Sequence, residues 1–584
     1  MSEPLGISDC RRSLTVLVAL ACALQLIFVA VVFSSQSLHE TGTGSHSLLT
    51  LLALFGFAFV VYLFAVRIAA KARQDGLLLW TIVGAAVLFR LTLLFSDPIE
   101  EIDMYRYLWD GSVIAQGVSP FRYSPQQVLA ASAHEELPDD LARLVNLRDS
   151  SPEMLSILRK IHFGELPTIY PPVGQAVFAL CAWSTPTDAS LFLRLALMRA
   201  WFVAFDLGTL GLVITLLRMT GRPIGLSVIY GWCPLVLKEI ANSGHLDSLA
   251  YFLTTASMFL AAGALFESRP GVLAQSRWRV AGSSALLALA CGAKLYPIVL
   301  LPLLASTTQR RIGWVGAFGV CAIFAIVVAP LAWPMLPVAD QDREVVPFEF
   351  DVAQVVPPSD DSPPVPPQDA GTAPHDPSQS LRAFLSEWEM NDFLFLIVME
   401  NLRPTTDLPP AKVAWFSVVP ETWRSRLIDV ITSPLAVDAS RAPFFLTRLI
   451  TSVVFIVIAG CLAWRARSLS EGTPWLETAF LTVASFWLLL PTLNPWYWTW
   501  VVPLVTFARG RAWLLMSGLV FTYYFRFWLM HHFPDTQVLG THFNGPLFFD
   551  YVVVWLEFFP WFVMLAAGFL LRRPANRKTT AQLL

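Results

Sequence analysis

The chain has 584 residues, of which 55% are hydrophobic and 14% charged, and its formal net charge is −3 at pH 7. This hydrophobic share exceeds the roughly 45–50% of soluble domains and excludes an ordinary water-soluble enzyme. The small net charge, without basic patterning, gives no indication of a nucleic-acid partner. An integral membrane protein is the class that fits this composition.

In chain order, several stretches approach the roughly 20 apolar residues that cross a bilayer core. They lie near 14–34, 47–66, 77–96, 190–217, 246–266, 312–333, 443–464 and 548–571. Shorter runs with internal Pro or polar residues predict broken, tilted or re-entrant helices. Those runs lie near 223–237, 280–306, 475–490, 497–508 and 512–527. The predicted fold class is an all-α polytopic membrane protein with about 11 to 13 transmembrane or re-entrant helices.

Lys and Arg cluster in the connections between these stretches. With the amino terminus in the cytoplasm, every cluster falls on the cytoplasmic side, as short inside loops require. The clusters lie at 67–73, 218–222, 269–279, 310–311, 465–467, 509–511 and 572–578. The loops that carry the polar motifs then face the other, external side.

The predicted organisation has an amino-terminal transmembrane catalytic part, 1–334, and a carboxy-terminal transmembrane part, 381–572. Their large external loops are 97–171 and 401–442, and a cytoplasmic tail follows at 573–584. Between the two parts, 335–380 is rich in Pro and contains nine Asp or Glu against one Arg. This composition predicts an extended, disordered external insertion without a catalytic role.

The densest polar group, in "EEIDMYRYLWDG", directly follows the third apolar stretch. A helix over 100–111 would place four side chains on one face: Asp103, Arg106, Tyr107 and Asp110. Three carboxylates within four residues near a membrane should raise the pKa of at least one, as a general base requires. An ordinary surface ion pair between Arg106 and Asp110, with acids that cap an interfacial helix, is the alternative.

Two further motifs combine polar residues with helix breaks. In "TIYPPVGQ" the Pro pair predicts an extended Tyr170 before an interfacial or re-entrant run, although a helix start alone would explain the prolines. In "GHLD", His245 could donate to a phosphate oxygen, and His245 with Asp247 could form a fragment of a metal site. A polar turn at the membrane edge is the alternative for Asp247.

Lys294 in "GAKLYP" lies between apolar segments, where an ammonium group is costly unless it reaches the interface or meets an anion. This favours a functional lysine. The aromatic cluster "NPWYW" at 494–498 suits either an interfacial belt or contact with a sugar or lipid. His531 and His532 are predicted to lie in a loop.

Motifs in the same order along the chain resemble bacterial membrane glycosyltransferases of the GT-C class. The resemblance is closest to polyprenyl-phosphate-mannose-dependent mannosyltransferases, including glycosyltransferase family 87. The segments are "DMYRYLWDG" with "GVSPFRYSP", "YPPVGQAVF", "LVLKEIANSGHLDSLA", "AKLYPIVLLPL", "WEMNDFLF" and "PTLNPWYWTWVVPL". The resemblance implies a helical bundle, a catalytic acid in the first large external loop and sugar transfer with inversion.

The predicted function is transfer of a hexose, with mannose favoured, from a polyprenyl-phosphate-sugar donor to a lipid or glycan acceptor. The predicted location is the bacterial plasma (inner) membrane, with the active site on the periplasmic or extracellular side. Asp103 is the predicted base, with Glu101 in reserve. The predicted donor-phosphate ligands are Arg106, Arg122, His245, Lys294 and Tyr170. The predicted substrate contacts are Tyr107, Asp110, Tyr123, Gln175, Asp247, Asn391, Asn494, Trp496 and Tyr497.

The predicted partners are the lipid-linked donor, a glycolipid or glycan acceptor and membrane lipid; no cofactor or metal is required. A protein O-mannosyltransferase or lipid A sugar transferase of the same class is the alternative enzyme. A flippase or transporter of lipid-linked sugar would place ionisable residues near the bilayer midplane, whereas these are predicted at segment ends. A structural or sensor protein would tolerate Asp103→Asn.

Overall fold

The computed structural model of the protein describes residues 7–41, 46–132, 136–266, 273–338, 371–406, 409, 412–435 and 441–570. Every regular element in these ranges is a helix, and an isolated β-bridge joins Met390 and Thr492. The predicted all-α class is therefore confirmed.

Eight helices of the described ranges are long and apolar enough to cross a membrane, which confirms a polytopic architecture. They are Arg12–Leu38, Ser47–Lys71, Gly76–Leu93, Leu191–Met219, Asp247–Phe266, Trp314–Met335, Ala442–Ala466 and Gly545–Leu570. Each coincides with a predicted stretch. A pair of helices bent by 44°, Ile224–Gly231 and Pro234–Asn242, could form one more span.

The amino-terminal part contains α1 to α15. The first nine are α1 (Ile7–Thr41), α2 (His46–Lys71), α3 (Gly76–Leu93), α4 (Asp103–Ala115), α5 (Pro125–Ala130), α6 (Asp139–Arg148), α7 (Pro152–Arg159), α8 (Pro172–Trp183) and α9 (Leu191–Met219). The rest are α10 (Val228–Gly231), α11 (Pro234–Val236), α12 (Asp247–Phe266), α13 (Leu273–Ala293), α14 (Leu301–Ile312) and α15 (Trp314–Ala332). Asp75, Ser124, Ser151 and Ser190 begin helices by accepting otherwise unpaired amide N–H groups.

The carboxy-terminal part contains α16 to α26. They are α16 (Gln379–Glu387), α17 (Leu394–Leu402), α18 (Glu421–Leu435), α19 (Ala442–Ala466), α20 (Gly472–Leu488), α21 (Pro495–Trp498), α22 (Val502–Val505), α23 (Ala512–Leu519), α24 (Phe525–His532), α25 (Gly545–Phe548) and α26 (Val554–Leu570). The short α21 and α22 each contain Pro in the first turn, as the broken run 497–508 predicted. His531 and His532 end α24 instead of lying in a loop, because the helical pattern continues through them.

The basic loops contact one another at one end of the bundle, the basic end. The Gly225 N–H donates to the Gln74 side chain at 2.7 Å, and Arg467 donates to Gln309 at 2.8 Å. Arg311 donates to the Leu469 carbonyl at 2.6 Å. The long helices α3 and α9 run from this end to the opposite one, the polar end, where the motif-bearing loops gather.

The loop 97–171 folds into α4 to α7 at the polar end and receives residues 371–380. Gln127 donates to the carbonyl groups of Gly371 and Ala373 at 2.8 and 2.9 Å. The Ser380 hydroxyl donates to the Pro167 carbonyl at 2.7 Å. The extended, disordered chain predicted for 335–380 is therefore wrong for 371–380, because this segment finds hydrogen-bond partners in the loop. Residues 339–370 lie outside the described ranges.

A buried ion pair links helices inside the bundle. Arg90 of α3 pairs with Asp206 of α9, and both side chains have zero exposure. Arg90 also donates to the Gly231 carbonyl at 2.8 Å, while the Tyr251 hydroxyl donates to Asp206 at 3.1 Å, and Tyr230 donates to the same carboxylate. The pair therefore connects α3, α9, α10 and α12, and each charge depends on the other because no water solvates them.

We expect Asp206→Asn to destabilise the protein by about 3–5 kcal/mol, because it leaves the Arg90 guanidinium buried without a counterion. The measurement is the thermal unfolding midpoint of the purified protein in detergent. Asp149→Asn is the control, since it removes one partner of the exposed Arg148 pair and should cost at most about 1 kcal/mol. Equal shifts for the two variants would contradict the prediction.

Candidate active site

A cavity of about 280 Å³ at the polar end collects residues from both parts of the chain. Acidic residues of the first loop face basic and aromatic residues of later segments across it. The polar and aromatic residues of its wall include Glu100, Glu101, Asp103, Arg106, His162, Tyr170, Lys294, Trp388, Arg448, Asn494, Trp496, Tyr497, Trp500 and Tyr523. Most of the predicted motifs therefore meet at one place.

The acids enter the cavity from the turn that precedes α4. Helix α4 begins at Asp103 and not at residue 100, because Glu100 has a left-handed φ of 48°. The Glu101 carboxylate accepts the N–H groups of Ile102 and Asp103 at 3.0 and 3.1 Å. Glu101 thus satisfies amide groups at the start of the helix. Glu100 and Glu101 consequently approach the cavity from a turn and do not share a helix face with Asp103.

His245 lies between two carboxylates. Its Nε2 atom is 3.1 Å from Glu101 Oε2 and 3.3 Å from Glu239 Oε2, and its ring stacks on Trp496 with a centroid distance of 4.4 Å. Burial alone would lower the pKa of His245, but the carboxylates of Glu101 and Glu239 outweigh it and raise this pKa to about 10. His245 is therefore a fixed cation at neutral pH.

The same contacts keep Glu101 ionised. Burial alone would raise the pKa of Glu101, but His245, Lys238 and the Asp103 backbone N–H lower it to about 2. Each of these partners interacts with the charged form of the carboxylate. Glu101 is therefore a poor proton acceptor near neutral pH, and its geometry suits orientation of the turn.

Asp103 is placed differently. Its side chain is 17% exposed, and its Oδ1 atom is 3.4 Å from His162 Nε2. Burial and the charge of Glu101 raise the pKa of Asp103, and this effect exceeds the opposing influence of His162, His245 and Lys294. A carboxylate with a raised pKa that faces a cavity has the properties of a general base.

Glu100 is a cavity residue to which the sequence assigned no role. It is 4% exposed, and neither carboxylate oxygen has a hydrogen-bond partner among the described residues. Burial and Glu101 together raise the pKa of Glu100 to about 8, against the opposing charge of Lys238. Glu100 is therefore mostly protonated at neutral pH, unlike Glu101 beside it.

Lys294 supplies the cavity with a cation. Its Nζ atom is 2.7 Å from Asp247 Oδ1, which also accepts the Trp500 indole N–H. The ammonium group lies 4.5 Å from the Tyr497 ring centroid and is 18% exposed. It is thus held by one carboxylate and an aromatic face but remains accessible to an anion in the cavity.

Aromatic rings form a continuous wall beside Lys294. Trp500 stacks on Tyr497 at 4.4 Å and on Tyr296 at 4.2 Å. On the other side, Tyr107 packs edge-on against Tyr170 at 4.9 Å, and the Tyr107 hydroxyl is 3.5 Å from Asp103. Flat apolar faces with polar edges suit the two sides of a sugar ring.

Several predicted site residues support the cavity from behind. Arg106 borders it but donates to the carbonyls of Leu166, His162 and Phe163 at 3.0–3.3 Å, which braces the loop. Gln175 donates to Asp110 at 3.0 Å in a fully buried contact. The contacts that the structure gives Arg106, Asp110 and Gln175 are internal, and the substrate and phosphate contacts predicted for them stay predictions.

Arg122 and Tyr123 lie away from the cavity. The Arg122 guanidinium pairs with Asp140 and is 43% exposed, and the Arg122 carbonyl accepts the His375 N–H at 2.8 Å. Tyr123 is buried beside it. The donor-phosphate role predicted for Arg122 therefore does not fit, because its partners lie in the outer part of loop 97–171.

Asn391 links the two motifs of the carboxy-terminal part. It has a left-handed φ of 52° and donates to the Leu493 carbonyl at 3.0 Å, next to the bridge between Met390 and Thr492. The contact holds "WEMND" against "NPWYW", so that Trp388 and Asn494 both reach the cavity. Asn391 itself positions the wall instead of lining it.

The sequence reasoning missed a buried group behind the cavity. Tyr524 donates to Glu239 at 2.7 Å and accepts from Lys238, whose Nζ atom is 3.4 Å from Glu239. All three side chains are buried. The available signal was the adjacent Lys–Glu pair within an apolar run, because ionised groups inside a membrane segment need a specific partner.

The ligand atoms of Glu101, Asp103 and His245 lie within 4.8 Å of one another, a spacing that could suit a cation. His245 Nε2 is, however, already shared between Glu101 and Glu239. The carboxylates of Glu101 and Glu239 raise the pKa of His245, and metal ligation would require the imidazole to lose that proton. No metal ligand is assigned here.

A membrane bundle in which a base and a cation face one aromatic cavity fits the class of membrane glycosyltransferases. The family model MptA_B family, described as alpha-(1->6)-mannopyranosyltransferase, N-terminal domain, matches residues 14–310, just over half of the chain. The chain therefore belongs to this mannosyltransferase family. No curated protein and no solved structure matches the chain.

Glu239→Gln tests how His245 is held. Loss of the Glu239 charge should lower the pKa of His245 from about 10 by roughly one to two pH units. The imidazole would then lose its proton at a lower pH, and mannosyl transfer should fall above about pH 8 in the variant but not in the wild type. The measurement is the pH profile of kcat/KM.

Tyr524→Phe is the matched control, because it removes a hydrogen bond to Glu239 without changing a charge. Its alkaline limb should stay at the wild-type position. A variant Glu239→Gln with a wild-type profile would show that Glu239 does not set the charge of His245.

Proposed function

We propose that the protein transfers mannose, with inversion, from polyprenyl-phosphate-mannose to a glycan or glycolipid acceptor. The observation that carries the proposal is that Asp103 and Lys294 border the same cavity, whose wall is largely apolar. Asp103 supplies a base for the acceptor hydroxyl, and Lys294 supplies a positive charge for the leaving phosphate.

Asp103 fits the base better than Glu101. Inverting transfer needs one carboxylate that removes a proton from the acceptor hydroxyl as that oxygen attacks the sugar. Glu101 is held by His245 and two amide groups, whereas Asp103 keeps a partly exposed carboxylate with a raised pKa. The proton would pass to Asp103 while the phosphate leaves toward the cations.

The cations lie where a lipid phosphate could enter. Lys294 borders the aromatic wall, and Arg448 of α19 borders the cavity beside the half-exposed Leu385, whose carbonyl accepts from Arg448. Leu295, next to Lys294, is 46% exposed. Apolar residues of the wall thus continue onto the apolar surface of the bundle, which favours an isoprenoid donor over a water-soluble nucleotide sugar.

The distribution of charge supports an external active site. The polar end lies opposite the basic end, whose Arg- and Lys-rich loops are expected in the cytoplasm. The cavity would then face the periplasmic or extracellular side of a bacterial plasma membrane. A lipid-linked sugar donor suits an external active site, because its lipid keeps it in the membrane.

Asp103→Asn tests the base. We expect transfer from radiolabelled polyprenyl-phosphate-mannose to a membrane glycolipid extract to fall about 10²- to 10⁴-fold. The Asp103→Asn variant should still bind the donor, as measured by tryptophan fluorescence. In the wild type the rate should fall as the pH drops through the raised pKa of Asp103, because the protonated acid cannot accept a proton.

Asp140→Asn is the control for this experiment, since Asp140 pairs with arginines outside the cavity. It should keep most of the transfer activity. Full activity of Asp103→Asn would remove Asp103 from the reaction and favour Glu101. A wild-type protein that binds but never transfers would support a transporter of lipid-linked sugar.

Lys294→Gln tests the phosphate contact. We expect a decrease in kcat/KM of about 10- to 100-fold, because the leaving phosphate loses a charged donor. Lys294→Arg should restore part of the activity. Asp247→Asn distinguishes a phosphate contact from a structural ion pair, because it breaks the pair but keeps the Lys294 cation. Equal losses of activity in Lys294→Gln and Asp247→Asn would indicate that the ion pair is purely structural.

A further inference from the structure

A second cavity, of about 160 Å³, lies behind α4 and is separate from the proposed reaction site. Its wall consists of Ser96, Asp97, Pro98, Tyr105, Lys160, Leu191, Phe192, Leu195 and Arg199. The cavity therefore lies between the first turn of loop 97–171, the end of α7 and the first part of the membrane helix α9.

Arg199 is the unusual member of this wall. Its side chain is 2% exposed, and its Nη1 atom donates to the Ser96 carbonyl at 2.8 Å. The Nε and Nη2 atoms have no hydrogen-bond partner among the described residues. A buried guanidinium with unpaired donors is costly, so these donors indicate a ligand that completes the site.

The geometry of the unpaired Arg199 atoms indicates which class of ligand would fit. Nε–H and Nη2–H point from the same edge of a guanidinium and form a planar fork that matches two oxygens of a phosphate or carboxylate. Lys160 borders the same cavity, with Nζ 5.6 Å from the Tyr105 ring centroid. Asp97 also borders it, so the lining carries two positive charges and one negative charge.

The apolar part of the cavity indicates where the ligand comes from. Phe192 is 50% exposed and stacks on Phe95, which is 63% exposed, at a centroid distance of 6.5 Å. Leu191 continues this surface at the start of α9, and the buried Leu195 borders the cavity one turn further along the helix. If the anion is the phosphate of a lipid and enters the cavity beside Phe192, its acyl chains would lie against this apolar surface.

We propose that this cavity binds the phosphate of a membrane phospholipid, with the Arg199 fork and Lys160 on the phosphate and Phe192 and Leu195 beside the acyl chains. Cations between transmembrane helices are suited to such head groups. The site would act on the turn before the catalytic acids. Arg199 holds the Ser96 carbonyl, and Asn242 donates to the Ser96 hydroxyl and the Asp97 carbonyl at 2.7 and 2.6 Å.

Native mass spectrometry of the full-length protein, titrated with dioleoyl phosphatidylglycerol, tests the site. We expect Arg199→Gln to weaken the tightest lipid-binding event roughly tenfold or more, because charge-assisted hydrogen bonds are lost. Arg194→Gln is the matched control on the same helix; Arg194 donates to the carbonyls of Ala189 and Thr187, and its loss should leave this event within about twofold.

Two further variants keep the test decisive if Arg199→Gln fails to fold. Lys160 lies at the end of α7, and Lys160→Gln removes only one cation. This variant should weaken the tightest lipid-binding event as well. Leu195→Trp fills the cavity without changing a charge and should also reduce lipid retention. Equal lipid binding by the wild type, Lys160→Gln and Leu195→Trp would overturn the proposal.

Inorganic phosphate distinguishes the two sources of the anion. If the site is built for a lipid, phosphate should displace little of the bound phosphatidylglycerol, because it lacks acyl chains. Efficient displacement by phosphate would assign the fork to a free anion and overturn the lipid proposal.

Discussion

The imidazolium of His245, held between Glu101 and Glu239, connects the turn that carries the acids to the part of the chain buried among membrane helices. Ionised groups are stable in such surroundings only when they pair, so His245 requires Glu101 and Glu239, and Glu239 requires Lys238 and Tyr524. This constraint separates the roles of the acids. Glu101 contributes its charge to the network, Glu100 is mostly protonated at neutral pH, and Asp103 remains partly exposed to the cavity.

Much of this could be predicted from the sequence, for identifiable reasons. Apolar length depends on local composition, so the eight long spans were predicted correctly. The order of the motifs indicated a mannosyltransferase, and the family match confirms that coarser assignment. The contact partners of individual side chains could not be predicted as well from the sequence. Arg122 faces Asp140, Arg106 faces backbone carbonyls, and Glu239 reaches His245 by a π-helical turn; none of these contacts follows from charge or periodicity. The helix start at Asp103 was missed because Glu100 adopts a left-handed conformation.

The two cavities lie on opposite sides of the same short stretch, 96–107. Asp103 borders the first cavity, while Ser96 and Tyr105 border the cavity with Arg199. Gly244 lies close to the stem of Arg199 and precedes His245, so Arg199 also approaches the segment that holds the imidazolium. Lipid composition and the charge state of the network would therefore act on one structural element, and an experiment that varies the membrane should control pH.

The first cavity also combines the charged residues with aromatic residues from a later part of the chain. The acids, His245 and Lys294 lie within the segment that matches the family model, whereas Trp388, Asn494, Trp496 and Tyr497 lie beyond it. The bridge between Met390 and Thr492 holds the latter group together. Changes in that wall could therefore alter which acceptor is accommodated while the proton-transfer apparatus stays intact.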